Sequence, residues 1–155
     1  MTTLSPGDAA PAFSLPANGG GKVKLSDLKG KKVVLYFYPK DDTTGCTREA
    51  IGFTEKIAAF EQAGAVVIGV SRDSVAAHDK FVKKHALSVT LAADEEGKVT
   101  EAYGVWVEKS MYGRKYMGIE RATYLIDAKG KIANIWRKVS VNGHVDAVLA
   151  AVQAA

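Results

Sequence analysis

The chain has 155 residues, 47% of them hydrophobic and 25% charged, which fits one domain over residues 1–155 around a sizeable core and leaves little chain for a second. Its 21 Lys and Arg outnumber 17 Asp and Glu for a net charge of +4, but the lysines are scattered, with local groups at Lys29, Lys31, Lys32 and at Lys83, Lys84, and no basic stripe is interleaved with aromatics, so no nucleic-acid partner is expected. No run approaches the roughly 18 apolar residues of a membrane span, Met1 to Asp8 lacks the basic and apolar regions of a signal peptide, and one cysteine excludes an intrachain disulfide, so a cytoplasmic protein without a membrane partner is expected.

Phe13-Ser14-Leu15-Pro16 and Val23-Lys24-Leu25 flank a glycine-rich stretch and read as two short strands joined by a turn. The glycines lack the spacing of a phosphate loop, and no Ser or Thr follows Lys22. Val33 to Tyr38 is continuously apolar, the pattern of a central strand buried on both faces. From Cys46 the period changes: Cys46, Ala50, Phe53, Ile57 and Phe60 recur at helical spacing until Gly64, predicting one helix with an inward stripe. Ala65 to Ser71 reads as another buried strand. Ser74 caps a helix through His85 on which Val75, His78, Val82 and the stem of Lys83 share one side.

Ser88 to Leu91 is a short strand, and a helix runs from about Glu95 to Tyr103. A loop over Glu108 to Gly118 then leads to two strands, Ala122 to Ile126 and Lys131 to Arg137, joined by Asp127-Ala128-Lys129-Gly130, and Asn142 opens a last alanine-rich helix. The order ββ-β-α-β-α-β-α-β-β-α implies an α/β fold, a mixed central sheet with helices on both faces and an N-terminal β-hairpin.

The lone Cys46 lies where a strand ends at Pro39, a polar loop follows and a helix begins. Unpaired N–H groups and the positive dipole end of a helix stabilise an anion, so a cysteine in the first turn suits a reactive thiolate. The plainer reading is a small buried hydrophobe. Thr43 precedes it by three residues, close enough for its hydroxyl to meet the sulfur or a bound oxygen. A metal site is not expected, because His78, His85 and His144 are scattered and match no ligand spacing; each reads as a surface or packing residue. A Cys-His hydrolase lacks a histidine near Cys46 in sequence. Met111, Tyr112, Tyr116 and Met117 read as packing residues, the alternative being an apolar mouth for a substrate, and Trp106 and Trp136 as core or interface residues.

The run Tyr36-Phe37-Tyr38-Pro39-Lys40-Asp41-Asp42-Thr43-Thr44-Gly45-Cys46-Thr47-Arg48-Glu49, with Gly118-Ile119-Glu120-Arg121-Ala122-Thr123-Tyr124-Leu125-Ile126-Asp127 downstream, resembles the peroxiredoxins, in the branch known as PrxQ or bacterioferritin comigratory protein, from about Leu4 to Leu149. The resemblance implies a thioredoxin fold and a thiol-dependent peroxidase acting on hydrogen peroxide and organic hydroperoxides without a cofactor. It makes Cys46 the peroxidatic cysteine, Thr43 the hydroxyl that orients peroxide, Arg121 the guanidinium beside the sulfur, Pro39 the pocket cover, Glu49 the acid that orients the arginine, and Gly45 part of the site. Cys46 and Arg121 stand about 75 residues apart, so only the fold could unite them.

The chain departs from that branch in two places. A resolving cysteine is frequent five residues after the peroxidatic one, where this chain has Ile51, and Thr44 stands where proline is usual. Oxidised Cys46 is then expected to stop at sulfenic acid until an external thiol, from thioredoxin, glutaredoxin or a small molecule, condenses with it. The resemblance favours a monomer or weak homodimer. A non-enzymatic redox sensor or chaperone on the same fold is the alternative, and fold alone does not decide.

Overall fold

A computed structural model describes residues 3–155; Met1 and Thr2, which begin the segment read as lacking a signal peptide, lie outside the described residues. The uniformly apolar run over 33–38 forms the centre of the molecule. Strand β3 (Lys32–Phe37) pairs in parallel with β4 (Ala65–Ser71) and antiparallel with β8 (Ala122–Ile126). The outer positions go to β5 (Thr90–Ala93), parallel to β4, and to β9 (Ile132–Trp136), antiparallel to β8, giving the order β5-β4-β3-β8-β9. Strands β1 (Ser14–Pro16) and β2 (Lys22–Lys24) make the expected N-terminal hairpin, with Leu15 opposite Val23.

Alternate residues of β3 feed two cores, one on each face of the sheet. Val33, Leu35 and Phe37 join Leu15, Tyr103, Ile119 and Tyr124 on one side. Val34, Tyr36 and Tyr38 join the helices on the other, α1 (Thr44–Glu55), α2 (Ile57–Gln62), α3 (Val75–His85) and α5 (His144–Ala154), through Cys46, Phe53, Phe60, Phe81 and Val148. Tyr36 stacks on Phe53 with ring centroids 4.7 Å apart. It reaches there across Gly69 of β4, where a Cβ would stand 2.6 Å from the tyrosine ring, so only glycine lets the ring lie flat on the sheet. No helix among the described residues is long and apolar enough to cross a membrane.

The structure alters several elements read from the sequence. The helix expected from Cys46 to Gly64 is two, because Lys56 leaves helical geometry (φ −103°, ψ 6°) and its N–H bonds Phe53 O three residues back, tightening the turn. The stripe survives the break, with Cys46, Ala50, Phe53 and Phe60 all buried. On α3 the Ser74 hydroxyl accepts the N–H of Ala77 at 3.1 Å as a cap, but Phe81 with His78 fills the inward face while Lys83 is exposed. The helix placed from Glu95 is the shorter α4 (Lys98–Ala102). Buried Asp94 first accepts the N–H groups of Val99 and Thr100 at 3.3 and 2.8 Å, and Gly97 turns the chain at φ +77° under the Arg72 guanidinium. The last helix starts at His144 rather than Asn142, after Gly143 at φ +73°.

The segment over 108–118, expected as a loop, is a second hairpin of β6 (Trp106–Met111) and β7 (Arg114–Ile119), paired from Trp106 opposite Ile119 to Met111 opposite Arg114. Its polar residues hide the alternation. The signal was Tyr112-Gly113, both at positive φ (52° and 78°), the requirement of a two-residue hairpin turn.

Candidate active site

The sharp turn from β3 into α1 begins at Pro39 and places Thr43 at the N-cap of α1 in extended geometry. The first intrahelical bond runs from Thr47 N–H to Thr43 O at 2.8 Å, and Thr43 makes no side-chain cap. The backbone N–H groups of the first turn are therefore free to serve an anion. Cys46 lies in that turn with its sulfur facing inward, 1% exposed, so the reading of a buried small residue is correct as to burial.

Its surroundings are charged rather than apolar on one side. Arg121, just before β8, enters between Cys46 and Glu49: Nη2 donates to Cys46 Sγ at 3.4 Å, and Nη1 donates to Glu49 Oε1 at 2.6 Å. One planar guanidinium thus holds the thiol and the carboxylate at once. Gly45 makes room for it, since a Cβ there would be 3.0 Å from Arg121 Nη2. Glu49 is fully buried, and its second oxygen, Oε2, has no hydrogen-bond partner among the described residues. Burial pushes this carboxyl up from 4.5 to about 7, against the pull of Arg121. Burial also acts to lower Arg121, but the charges of Glu49 and Cys46 outweigh it and raise the guanidinium above its ordinary value.

The structure brings Cys46, Arg121, Glu49 and Gly45 into direct proximity. Of the two partners expected for the Thr43 hydroxyl, the sulfur and a bound oxygen, it does not bond the sulfur but donates to Lys40 O at 2.9 Å. With its proton committed there, the oxygen faces any ligand as an acceptor. Pro39 is half-buried and lines a cavity of about 330 Å³ with Lys40, Trp106, Lys109, Tyr116 and Met117. Ile51 is half-buried on α1, packed against the helical core.

Of three further groups around these residues, Lys109 carried no usable signal in the sequence, whereas His144 and the apolar residues over 111–117 were read there. Lys109 projects from β6, in the segment read as loop; burial lowers its pKa, and so does nearby Arg121. His144 is buried at the start of α5, bonded through Nε2 to Thr123 Oγ1 at 2.8 Å and set edge-on to Phe53 and Trp136. Burial first, then Arg121, brings it down from 6.5 to about 4, so it is a neutral packing residue. Met111, Tyr112, Tyr116 and Met117 are the exposed large apolar residues, not the packing residues expected, because the hairpin holds them away from both cores. Among the described residues no cluster of three or more His, Cys, Asp or Glu side chains is arranged to hold a metal.

Comparison with known proteins agrees with this arrangement. The AhpC/TSA family model matches residues 6–135. A protein of Coxiella burnetii described as a putative peroxiredoxin bcp is 52% identical over 147 residues, covering 95% of this chain and 97% of that one. A PrxQ structure from Xylella fastidiosa superposes with a TM-score of 0.94 at 38% identity, covering 99% of this chain and 98% of that one. The bacterioferritin comigratory protein of Xanthomonas campestris, solved as trapped intermediate and ligand complexes bearing on its alkyl peroxide reduction activity, gives 0.87 at 44% identity over 92% of this chain and 90% of that one. These neighbours make the mixed sheet and its helices a thioredoxin fold of the peroxiredoxin type. With relatives this similar along nearly its whole length, the chain belongs to the AhpC/TSA family, among the peroxiredoxins of the Bcp or PrxQ branch.

Proposed function

We propose that this chain is one peroxiredoxin domain that reduces hydrogen peroxide and organic hydroperoxides through Cys46. The observation that carries the reading is the Arg121 fork, which holds a guanidinium nitrogen 3.4 Å from Cys46 Sγ while the other is fixed 2.6 Å from Glu49. The thiolate attacks one peroxide oxygen, the S–O bond forms as the O–O bond breaks, and the departing oxygen leaves as water or an alcohol after taking a proton. Arg121 and the free N–H groups of the first turn of α1 meet the charge that develops on the oxygens. Thr43 accepts the O–H of the peroxide, Pro39 shields the pocket, Gly45 clears the way for Arg121, and Glu49 orients it.

Cys46 is the only cysteine, so the sulfenic acid condenses with an external thiol, releasing water, and a second thiol frees Cys46 from the mixed disulfide. Thioredoxin, glutaredoxin or a small thiol fits this step, in a reducing cytoplasm, with the protein a monomer or weak dimer. Stopped-flow measurement of the second-order rate with hydrogen peroxide, against free cysteine at equal thiolate fraction, tests the reading. A rate several orders of magnitude higher is expected, with repeated turnover when thiol is supplied; a rate near the reference leaves an ordinary buried thiol.

The exposed Tyr116 and Met117 beside Pro39 favour substrates with an apolar tail. Removing roughly 50 Å² of apolar contact costs about 1.3 kcal/mol, close to tenfold in rate. A Tyr116→Ser, Met117→Ser double variant is therefore expected to lower the ratio of rates for an aromatic hydroperoxide over hydrogen peroxide by about tenfold. An unchanged ratio would place the organic substrate elsewhere.

A further inference from the structure

The loop over 40–43, between Pro39 and the first turn of α1, is tied to the rest of the molecule by groups that the chemistry at Cys46 does not use. His78, wholly buried on α3, sets Nδ1 2.6 Å from Asp41 Oδ2 and Nε2 2.9 Å from the carbonyl oxygen of Ala92. A carbonyl only accepts, so Nε2 carries a hydrogen, and the short Nδ1 to Oδ2 contact holds a second proton between ring and carboxylate. The other oxygen of Asp41 accepts the Tyr38 O–H at 2.5 Å. The backbone N–H of Asp41 donates to Asp73 Oδ2 at 2.9 Å, which also accepts the Ser71 hydroxyl at 2.6 Å. The residues that follow β3 and β4, and helix α3 with β5 behind it, are thus linked to one loop residue.

The next residue ties the loop to α3 a second time. Asp42 has φ +61°, in the left-handed region that aspartate enters more readily than most residues with a Cβ. Its carboxylate meets Lys84 Nζ at 2.7 Å and His85 Nε2 at 2.9 Å near the end of α3. That outer tie is exposed to solvent, where ion pairs contribute little. In the buried Asp41 to His78 contact, by contrast, loss of one partner leaves the other buried and unpaired, which is costly.

The catalytic cycle makes opposite demands on this loop. Attack on peroxide needs Cys46 and Arg121 held as the structure has them. Reduction needs a thiol to reach a sulfur that is 1% exposed, which requires the first turn of α1 and the loop before it to move. With no second cysteine in the chain, every turnover passes through that movement. The geometry points to Asp41 and His78 as positioning residues that set how the Cys46 sulfenic acid divides between an external thiol and a second peroxide. With the contact closed, the sulfur stays beside Arg121 and attacks another peroxide; an S–O bond forms, the O–O bond breaks, water or alcohol leaves and Cys46 is oxidised to sulfinic acid. With it open, the thiol sulfur attacks, an S–S bond forms, water leaves and Cys46 is reduced to the mixed disulfide.

The inference rests on the peroxidase reading above. Its test compares the full-length protein with His78→Leu, Asp41→Asn and His78→Gln variants in three measurements: the rate of the Cys46 thiol with hydrogen peroxide, the rate of the sulfenic acid with N-acetylcysteine, and the sulfinic acid formed per turnover by intact mass. In His78→Leu the first rate is expected to fall about tenfold to a hundredfold, the scale of losing a pre-set geometry. The second is expected to rise about tenfold as the open fraction grows, and the sulfinic yield to drop. His78→Gln, whose amide still donates to Asp41, should recover part of all three. Both rates falling together, or neither moving, overturns the inference. If His78→Leu does not fold, hydrogen exchange in His78→Gln replaces it: faster exchange at the amides over 44–49 with unchanged β3 is expected, and equal protection overturns the inference. A wild-type protein without a fast peroxide reaction overturns the peroxidase reading, a result separate from a wild-type protein that reacts fast while the variants divide its sulfenic acid identically.

Discussion

Arg121→Ala is expected to lower the second-order rate of Cys46 with hydrogen peroxide by about 10² to 10³, the usual consequence of removing one preorganised donor from a developing negative charge. A change in thiolate fraction does not produce a loss of this size. A thiol of pKa about 8.5 is about 3% ionised at pH 7 and one of about 6 is about 90% ionised, a gain near thirty-fold. Nucleophilicity falls with basicity along a slope of about 0.4 to 0.5, which removes roughly tenfold of that gain and leaves about threefold. What remains belongs to the transition state, where Arg121 Nη2, 3.4 Å from the sulfur, meets charge as it builds on the oxygens. The check is the peroxide rate of each variant divided by its thiolate fraction from ultraviolet absorbance. If rate and thiolate fraction fall equally, this division of the effect is wrong.

Two companion variants sharpen the result. Arg121→Lys keeps a charge but cannot reach Cys46 and the Glu49 carboxylate together as the two nitrogens of the fork do, so its rate should stay within about tenfold of the alanine variant. Because Arg121→Ala strips buried Glu49 of its ion-pair partner, the Arg121→Ala, Glu49→Gln pair separates a defect of folding from one of catalysis. Thr43→Val removes the acceptor left by the bond to Lys40 O and should slow the peroxide step without matching the change in thiolate.

How far the residues alone lead depends on whether a feature is local. The buried run over 33–38, the helical stripe from Cys46 to Phe60 and the Ser74 cap are written in short-range periodicity, and each forms with inward and outward positions close to those expected. The placement of Arg121 beside Cys46 is not local. It follows from the antiparallel pairing of β3 with β8, Phe37 opposite Ala122, which sets the residue before β8 next to the loop after β3. No spacing rule spans that distance, and the family resemblance supplied it. The hairpin of β6 and β7 escaped because its strands lack apolar alternation, and the Asp41 to His78 contact because each residue taken singly reads as an ordinary loop acid and a helix histidine. The break at Lys56 and the late start of α4 depend on backbone bonds and on buried Asp94, which become visible only once the neighbouring elements are packed.

The second large effect is a dependence of stability on pH that two buried groups hide from each other. Glu49 is raised from 4.5 to about 7, so across that window the folded protein keeps a proton that the unfolded chain releases, and stability falls as pH rises. A shift of that size corresponds to about 3 kcal/mol. His144 is lowered from 6.5 to about 4; there the unfolded chain takes up a proton that the folded protein refuses, and stability rises with pH. Allowing for solvent screening at its open edge, this contributes about 2 kcal/mol. The two oppose each other, so the unfolding free energy of the wild-type protein should fall by only about 1 kcal/mol from about pH 4.5 to 6.5. Asp42, lowered by Lys84 and His85 from 3.8, acts below this range. Glu49→Gln should expose the His144 slope, with stability climbing by about 1 kcal/mol from about pH 4.5 to 6.5, and His144→Phe the Glu49 slope, falling by about 2 kcal/mol over the same range. Losing the Thr123 bond or the Arg121 ion pair displaces each curve vertically but adds no slope, which separates titration from packing. Urea unfolding followed by tryptophan fluorescence across these pH values reads the slopes directly, and a level profile in either variant would mean that the remaining group does not titrate as its burial requires.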